Sequence, residues 1–284
     1  MGVLNVTPDS FSDGGRFVTP EVAVVHATQM LEEGADIIDV GGESTRPGSA
    51  VAGRRGRERA AVSAQQEMDR VLPVIEAIRK ARPEAIVSID TYKAKTARAA
   101  VAAGAEIVND VSGFTWDEEM ARTVASLECG AVLMHTRGQP EQWRDLEKLE
   151  DPVGSTVNEL SFAAQYALAA GVKRERIMLD PGFGFGKRFD ENYPLFAHFA
   201  VFAKLGYPLL AGPSRKSFIG RTVGLRIAEI KGKDVVDQVA SERLHGTIAA
   251  VTASVLGGAH VVRVHDVRPA VEAVAVADAI LAAQ

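Results

Sequence analysis

Short runs of apolar and β-branched residues recur along the chain, separated by longer stretches in which apolar residues return every three or four positions. The runs cover residues 3–6, 36–40, 86–89, 106–108, 131–134, 176–179, 208–211 and 260–264, eight in all. Their near-continuous hydrophobicity is that of strands covered on both faces, as in a parallel sheet flanked by helices. The longer stretches read as amphipathic helices. Val22, Val25, Gln29 and Met30 open one; Met68, Val71, Leu72, Ile75 and Ile78 mark a second; Leu195, Phe199, Phe202 and Leu205 mark a third.

Gly34, Gly104, Gly130, Gly171 and Gly206 each stand shortly before a predicted strand. A helix that ends in the left-handed conformation favours glycine there, so these positions are predicted helix stops. Eight strand–helix units predict an α/β fold of the (β/α)8 TIM-barrel class, a single domain over residues 1–284. A doubly wound open sheet is the other architecture such alternation allows. No Gly-x-Gly-x-x-Gly follows the first strand to support it.

Composition narrows the partners more than the fold. With 46% hydrophobic and 24% charged residues, the chain is an ordinary globular one. A net charge of −5 gives no basic footprint for nucleic acid, so an anionic ligand must be held by a local cluster. Cys129 is the one cysteine, which excludes an internal disulfide and a multi-cysteine metal site; it reads as a small buried hydrophobe. No apolar run approaches the roughly 18 residues of a membrane span. Nor does the start of the sequence read as a secretory leader, so a cytoplasmic protein is expected.

Barrels of this class build their sites at the C-terminal ends of the strands. Those positions here carry Asn5; Glu43, Ser44, Thr45 and Arg46; Asp90; Asn109 and Asp110; His135; Asp180; Ser214, Arg215 and Lys216; and Arg263 with His265. Any one of them can cap the next helix or pair with a neighbour. A polar group at every strand end points instead to one site. Asp90, Asn109 and Asp180 suit a heterocycle with N–H donors and ring nitrogens. Two carboxylates also suit general acid–base work or a glycosidase pair. Lys216, Arg263 and His265 suit an anion, phosphate above all. Taken together these groups fit a phosphorylated heterocycle. Two loops on the same rim, residues 5–15 and 41–48, are rich in turn formers and read as lids over a reactive site.

The first of these loops, Asn5-Val6-Thr7-Pro8-Asp9-Ser10-Phe11-Ser12-Asp13-Gly14-Gly15, closely resembles that of the dihydropteroate synthases. So does Ser214-Arg215-Lys216-Ser217-Phe218-Ile219-Gly220. Further matches are Gly41-Gly42-Glu43-Ser44-Thr45-Arg46-Pro47-Gly48, Ile107-Val108-Asn109-Asp110-Val111, Leu179-Asp180-Pro181-Gly182-Phe183-Gly184-Phe185-Gly186-Lys187 and Val262-Arg263-Val264-His265-Asp266-Val267. They run in order over nearly the whole chain.

The resemblance implies loss of pyrophosphate from 6-hydroxymethyl-7,8-dihydropterin pyrophosphate and attack by the amine of p-aminobenzoate. It implies that Asp90, Asn109, Asp180 and Lys216 hold the pterin, and that Asn5, Arg263 and His265 hold the pyrophosphate. Asn5 and Asp13 are the implied magnesium ligands. Thr45, Arg46 and Pro47 shape the site from the second loop, and Phe11, Pro47, Phe185 and Ser217 line the p-aminobenzoate pocket. A homodimer through late helices is implied as well, and the apolar stretch 248–256 is compatible with it. Retention of Phe11 without an insertion predicts sulfonamide sensitivity.

Two departures stand out. The connection after Pro47 is longer than the family pattern and carries Arg54, Arg55, Arg57 and Arg59, which read as a solvated helix start. The stretch from Met134 to Trp143 keeps a His, an Arg-Gly and a Pro but differs around them, so His135 is expected to be structural. Pterin-binding methyl-transfer domains share the pterin acids but need no pyrophosphate cluster; Lys216, Arg263 and His265 favour the synthase. A non-catalytic binding module would have lost the polar rim, and the rim is present.

Overall fold

The computed structural model describes residues 1–7, 19–44, 62–232 and 234–284. Each predicted run is a strand: β1 (Gly2–Asn5), β2 (Ile37–Gly41), β3 (Ile86–Asp90), β4 (Ile107–Asp110), β5 (Gly130–Met134), β6 (Ile177–Asp180), β7 (Leu210–Ala211) and β8 (Val261–Val262). The helices between them are α1 (Pro20–Glu32), α2 (Ala64–Ala81), α3 (Ala94–Ala102), α4 (Met120–Leu127), α5 (Pro152–Ala169) and α6 (Asn192–Ala197). Two helices, α7 (Ser217–Lys231) and α8 (Leu244–Leu256), separate β7 from β8, and α9 (Val267–Ala282) ends the chain.

The strands run parallel in the order β1 to β6, with β7 beside β8. Two bridges close the ring. Leu179 pairs with Leu209 to join β6 to β7, and Gly2 pairs with Val264 to join β8 to β1. Backbone bonds from Val3 N to Val264 O (2.9 Å) and from Val264 N to Met1 O (3.0 Å) seal that last seam. Among the described residues the sheet has no free edge, and the strands close a (β/α)8 barrel.

Alternation along the strands divides the side chains between two cores. Leu4, Ile38, Val40, Val87, Ile89, Val108, Leu133 and Leu179 pack outward against helix residues such as Ala27, Met30, Val71 and Ile75. Met1, Val132 and Leu210, with Ile37, Ile107, Met178 and Val261, form a second cluster inside the barrel. Both strand faces are therefore covered, as the hydrophobic runs predict. The inner face, however, turns polar one step higher: two residues beyond Ile37, Ile107, Met178 and Val261 stand Asp39, Asn109, Asp180 and Arg263.

Several local expectations need correcting. In α1 the buried residues are Ala23, Ala27 and Met30, whereas Val22 and Val25 face solvent. A helix face of small residues packs closely on the strands and leaves the larger valines outside. The stripe from Leu195 to Leu205 is not one helix. It breaks at His198 (φ −119°, ψ 26°), and residues Phe199–Leu205 continue as a 3-10 helix. Gly34, Gly104, Gly171 and Gly206 have the positive φ expected of helix stops, but Gly130 begins β5 and Glu128 takes the left-handed position instead (φ 55°). Cys129 between them is buried, as expected.

Candidate active site

The polar layer inside the barrel is a bonded network. Arg263 at the end of β8 donates from Nε to Asp39 Oδ2 (2.6 Å) and from Nη2 to Asp90 Oδ2 (2.7 Å). Asn109 on β4 donates from Nδ2 to the same Asp39 oxygen at 3.1 Å. With its N–H side engaged by Asp39, Asn109 keeps its carbonyl oxygen as an acceptor. Asp180 Oδ1 accepts from the Gly182 backbone at 2.7 Å. Its other oxygen faces Gly212: a Cβ built there would lie 3.8 Å from Asp180 Oδ2 and 3.9 Å from Arg263 Cβ. Gly212 thus leaves room at the centre of the network.

Burial governs the titration of these groups. It pushes the carboxyls of Asp90 and Asp180 above the usual carboxylate range, opposed at Asp90 by Arg263 and at Asp180 by the Gly182 N–H and Lys216. It lowers the Lys216 ammonium, and Arg263 lowers it further. Lys216 rests over the ring of Phe185, 3.9 Å from its centroid. At Arg263 burial is overcome by Asp39 and Asp90, which hold the guanidinium firmly charged.

His265 behaves differently from the cation its position suggests. Burial, then Arg263, Arg215 and Lys216, push it down to about 3, so the imidazole is neutral near pH 7. The His265 backbone N–H donates to Ser214 Oγ (3.2 Å), which leaves the Ser214 hydroxyl proton for His265 Nδ1 (2.9 Å). That tautomer, assigned from the bonding pattern, carries its proton on Nε2. His265 therefore offers an anion a hydrogen bond, not a charge.

Not every rim residue joins the network. Arg215 makes a two-pronged bond to Asp266, from Nε at 3.0 Å and Nη2 at 2.6 Å. Asp110 accepts the backbone N–H groups of Ser112 (2.7 Å) and Phe114 (3.2 Å) and shapes the turn after β4. Glu43 pairs with the buried Lys93, which also reaches Glu67 at 3.1 Å. His135 bonds Glu159 at 3.1 Å and takes no part in the central network, as expected of a structural residue. Phe185 is half-buried, and Ser217 is exposed in the first turn of α7. Phe11, Asp13, Thr45, Arg46, Pro47, Arg54, Arg55, Arg57 and Arg59 lie outside the described residues.

Asn5 at the mouth of β1 carries a neutral amide oxygen of the kind a hard cation accepts. The position a Cβ of Gly41 would take lies 3.6 Å from Asn5 Oδ1 and from Asp90 Oδ2, and that Asp90 oxygen is already bonded to Arg263. Among the described residues no group of three or more His, Cys, Asp or Glu is gathered for a metal. A magnesium ion here would share its shell with substrate oxygens and water, the usual habit of that ion beside phosphates.

Residues 1–265 match the family model described as pterin binding enzyme. This chain belongs to the pterin-binding enzymes. It is 42% identical to the dihydropteroate synthase of Escherichia coli over 288 residues, covering all of this chain and 92% of that protein. The Xanthomonas albilineans dihydropteroate synthase solved with 4-aminobenzoic acid is 40% identical with a TM-score of 0.83, over 99% of this chain and 92% of that one. The Yersinia pestis dihydropteroate synthase solved in a sulfonamide drug complex is 36% identical with a TM-score of 0.86, over 100% and 93%.

For this pterin-binding enzyme the strand-end reading misses Asp39, which is fully buried and holds both Asn109 and Arg263. The signal for it was present, since Asp39 follows Ile37 at the same two-residue step that separates Asn109 from Ile107. Lys187 is also missed as a working residue. Its buried ammonium donates to Gly182 O at 2.8 Å and braces the loop after β6; burial drives it down to about 7, opposed by Asp180. Nothing in the string around Lys187 signals that inward turn.

Proposed function

We infer that this chain is a dihydropteroate synthase, joining 6-hydroxymethyl-7,8-dihydropterin pyrophosphate to p-aminobenzoate to give 7,8-dihydropteroate and pyrophosphate. The observation that carries this reading is the bonded polar layer of Asp39, Asp90, Asn109, Asp180 and Arg263, with Lys216 and His265 at its rim. Xanthomonas albilineans relatives of the same fold, solved with 4-aminobenzoic acid or with 7,8-dihydropteroate, support it. The Yersinia pestis relative in its sulfonamide complex supports a sulfonamide-sensitive site.

In this reading Asp90, Asn109 and Asp180 accept the N–H groups of the pterin, and Lys216 donates to it. Asn5, the His265 Nε2–H and the uncommitted N–H groups of Arg263 take the pyrophosphate. The C–O bond breaks with its electron pair leaving on pyrophosphate. Positive charge then develops on the pterin methylene, where the carboxylates of Asp90 and Asp180 favour it. The p-aminobenzoate nitrogen forms the new C–N bond and loses its proton to solvent. An aromatic amine is nucleophilic unaided, so no strong base is needed. Asn5 would hold magnesium with Asp13, where the ion would neutralise charge on the leaving group. Thr45, Arg46 and Pro47, with Phe11, Phe185 and Ser217, complete the p-aminobenzoate side.

Exposed apolar side chains on the late helices, Ile230 on α7 and Val276 and Ile280 on α9 among them, support a homodimer through late helices. No helix among the described residues is long and apolar enough to cross a membrane.

The test is release of pyrophosphate measured with each substrate alone and with both. Release and product formation that need both compounds are expected. Absence of product, or release indifferent to p-aminobenzoate, would overturn the reading.

A further inference from the structure

The loop between β5 and α5 is tied to the loop after β6 at several points. Arg137 Nη1 donates to Gly186 O (3.1 Å), Arg188 Nη2 to Leu146 O (2.8 Å) and Leu149 N to Glu191 Oε1 (2.5 Å). Gly186 has φ 65°, and a Cβ there would meet Arg137 O at 2.7 Å, so the two backbones touch. Within this seam the ring of Trp143 meets Phe185 in a T-shaped contact, centroids 5.3 Å apart and planes at 81°. Phe185 in turn carries Lys216 Nζ at 3.9 Å. Trp143 is 9% exposed, and its Nε1 is buried with no hydrogen-bond partner among the described residues.

An orphaned buried donor is a cost that calls for an explanation. A smaller apolar residue would avoid that cost but leave part of the space empty. What the indole supplies in return is a broad flat ring locked edge-to-face against its neighbour. Phe185 is half-buried; it packs against the cluster of Tyr92, Val111 and Met134, and Trp143 holds its ring from the opposite loop of the seam.

We propose that Trp143 is a positioning residue for the aryl-amine half of the site: it fixes the tilt of Phe185. The proposal rests on the dihydropteroate synthase reading and names a determinant of its second substrate. Trp143 acts through Phe185 and not on a reacting atom. Its effect is to keep one wall of the aryl pocket at a constant angle while the amine docks. A ring free to turn would receive the amine in several poses, few of them productive.

The test compares Trp143→Leu with Trp143→Phe in the full chain, by steady-state kinetics with each substrate varied in turn. Trp143→Leu keeps apolar bulk but loses the aromatic edge. Its KM for p-aminobenzoate should rise about three- to tenfold, the range of an edge-to-face pair expressed as an affinity ratio. Its KM for the pterin pyrophosphate should stay within about twofold, and Trp143→Phe should return the p-aminobenzoate KM to near wild type. An unchanged p-aminobenzoate KM, a parallel rise in both KM values, or no rescue by phenylalanine would overturn the proposal. Should Trp143→Leu fail to fold, Trp143→Met against Trp143→Phe makes the same comparison. A wild-type chain that forms no dihydropteroate defeats the functional reading, whereas an active wild type with an indifferent Trp143→Leu defeats this proposal alone.

Discussion

Arg263 and Asp39 stand 224 residues apart in the chain and 2.6 Å apart across the barrel, guanidinium Nε to carboxylate Oδ2. The bond fastens β8 to β2 through the interior, and Asp90 on β3 takes a second arm of the same guanidinium. Because Asn109 also donates to Asp39, one carboxylate oxygen sets two groups that face the substrate. Asp39 Oδ1 has no partner among the described residues, so the whole bonding load falls on Oδ2.

Asp39→Ala should therefore harm stability and activity together. Removing one partner from a buried charged network costs about 3–5 kcal/mol, chiefly because the remaining charge is left uncompensated. Arg263 keeps Asp90 and is 20% exposed, which places the expected loss near the lower end. Urea denaturation should show a reduced midpoint with an unchanged slope. Asp39→Asn keeps the shape and a carbonyl oxygen that can still accept from Asn109, but removes the charge that holds the Arg263 guanidinium. It should stay folded, yet turnover should drop roughly tenfold or more. Wild-type turnover in Asp39→Asn would show that the charge of Asp39 is not needed to seat Arg263.

Why Asp39 was hard to read follows from its surroundings. It lies inside Ile37–Gly41, a run hydrophobic enough to look covered by apolar groups on both faces. The eight strands were legible because parallel strands in a barrel concentrate β-branched residues in short runs. The depth of the polar layer was not, because reading strand ends alone skips a residue that lies two places before the end. Asp90, Asn109, Asp180, Lys216 and Arg263 were legible as strand-end groups, but their pairing was not, since it depends on residues from distant strands. The neutral state of His265 was hidden for the same reason: Arg263, Arg215 and Lys216 depress it only once folded around it. The seam between the loops after β5 and β6 likewise has no local signal.

Gly182 is the position least tolerant of a side chain in the loop after β6. It has φ 68°, and a Cβ there would come within 1.9 Å of His135 O. Its N–H is also the hydrogen bond to Asp180 Oδ1. Gly182→Ala combines left-handed strain with a backbone clash, and should cost on the order of 3 kcal/mol. Thermal denaturation should show a clearly lower midpoint, with turnover falling because Asp180 is displaced. A variant as stable and active as the parent would mean that the loop can relax away from His135.

His135 should give the folded protein an acid-side weakness. Burial, then Lys187, lower its pKa from 6.5 to about 4, against the pull of Glu159. Between those values the unfolded chain binds a proton that the folded chain refuses, so stability is full above about pH 6.5 and is lost as pH falls toward 4. The ring is 2% exposed, so screening by water is slight and the loss amounts to about 3 kcal/mol. Denaturant midpoints measured from pH 7 to pH 4 should fall in the parent and fall less in His135→Gln. Parallel curves for the two proteins would remove His135 as the source.

Sulfonamide inhibition offers a test of how the aryl pocket is bounded. A sulfonamide carries the aryl amine of p-aminobenzoate with a sulfonyl group in place of the carboxylate, so it should compete for the wall that includes Phe185. That wall is half-exposed to the barrel mouth, while Asp39, Asn109 and Asp180 lie buried beneath it. Inhibition by sulfamethoxazole should therefore be competitive against p-aminobenzoate and should not be relieved by raising the pterin pyrophosphate. Trp143→Leu should weaken the drug and p-aminobenzoate by similar factors, because both lean on the same ring. A drug affinity that stays fixed while the p-aminobenzoate KM climbs would mean that the drug meets residues beyond this wall. Inhibition relieved by the pterin substrate would instead place the drug in the polar layer, and the division of the site into a buried pterin half and an aryl half at the rim would fail.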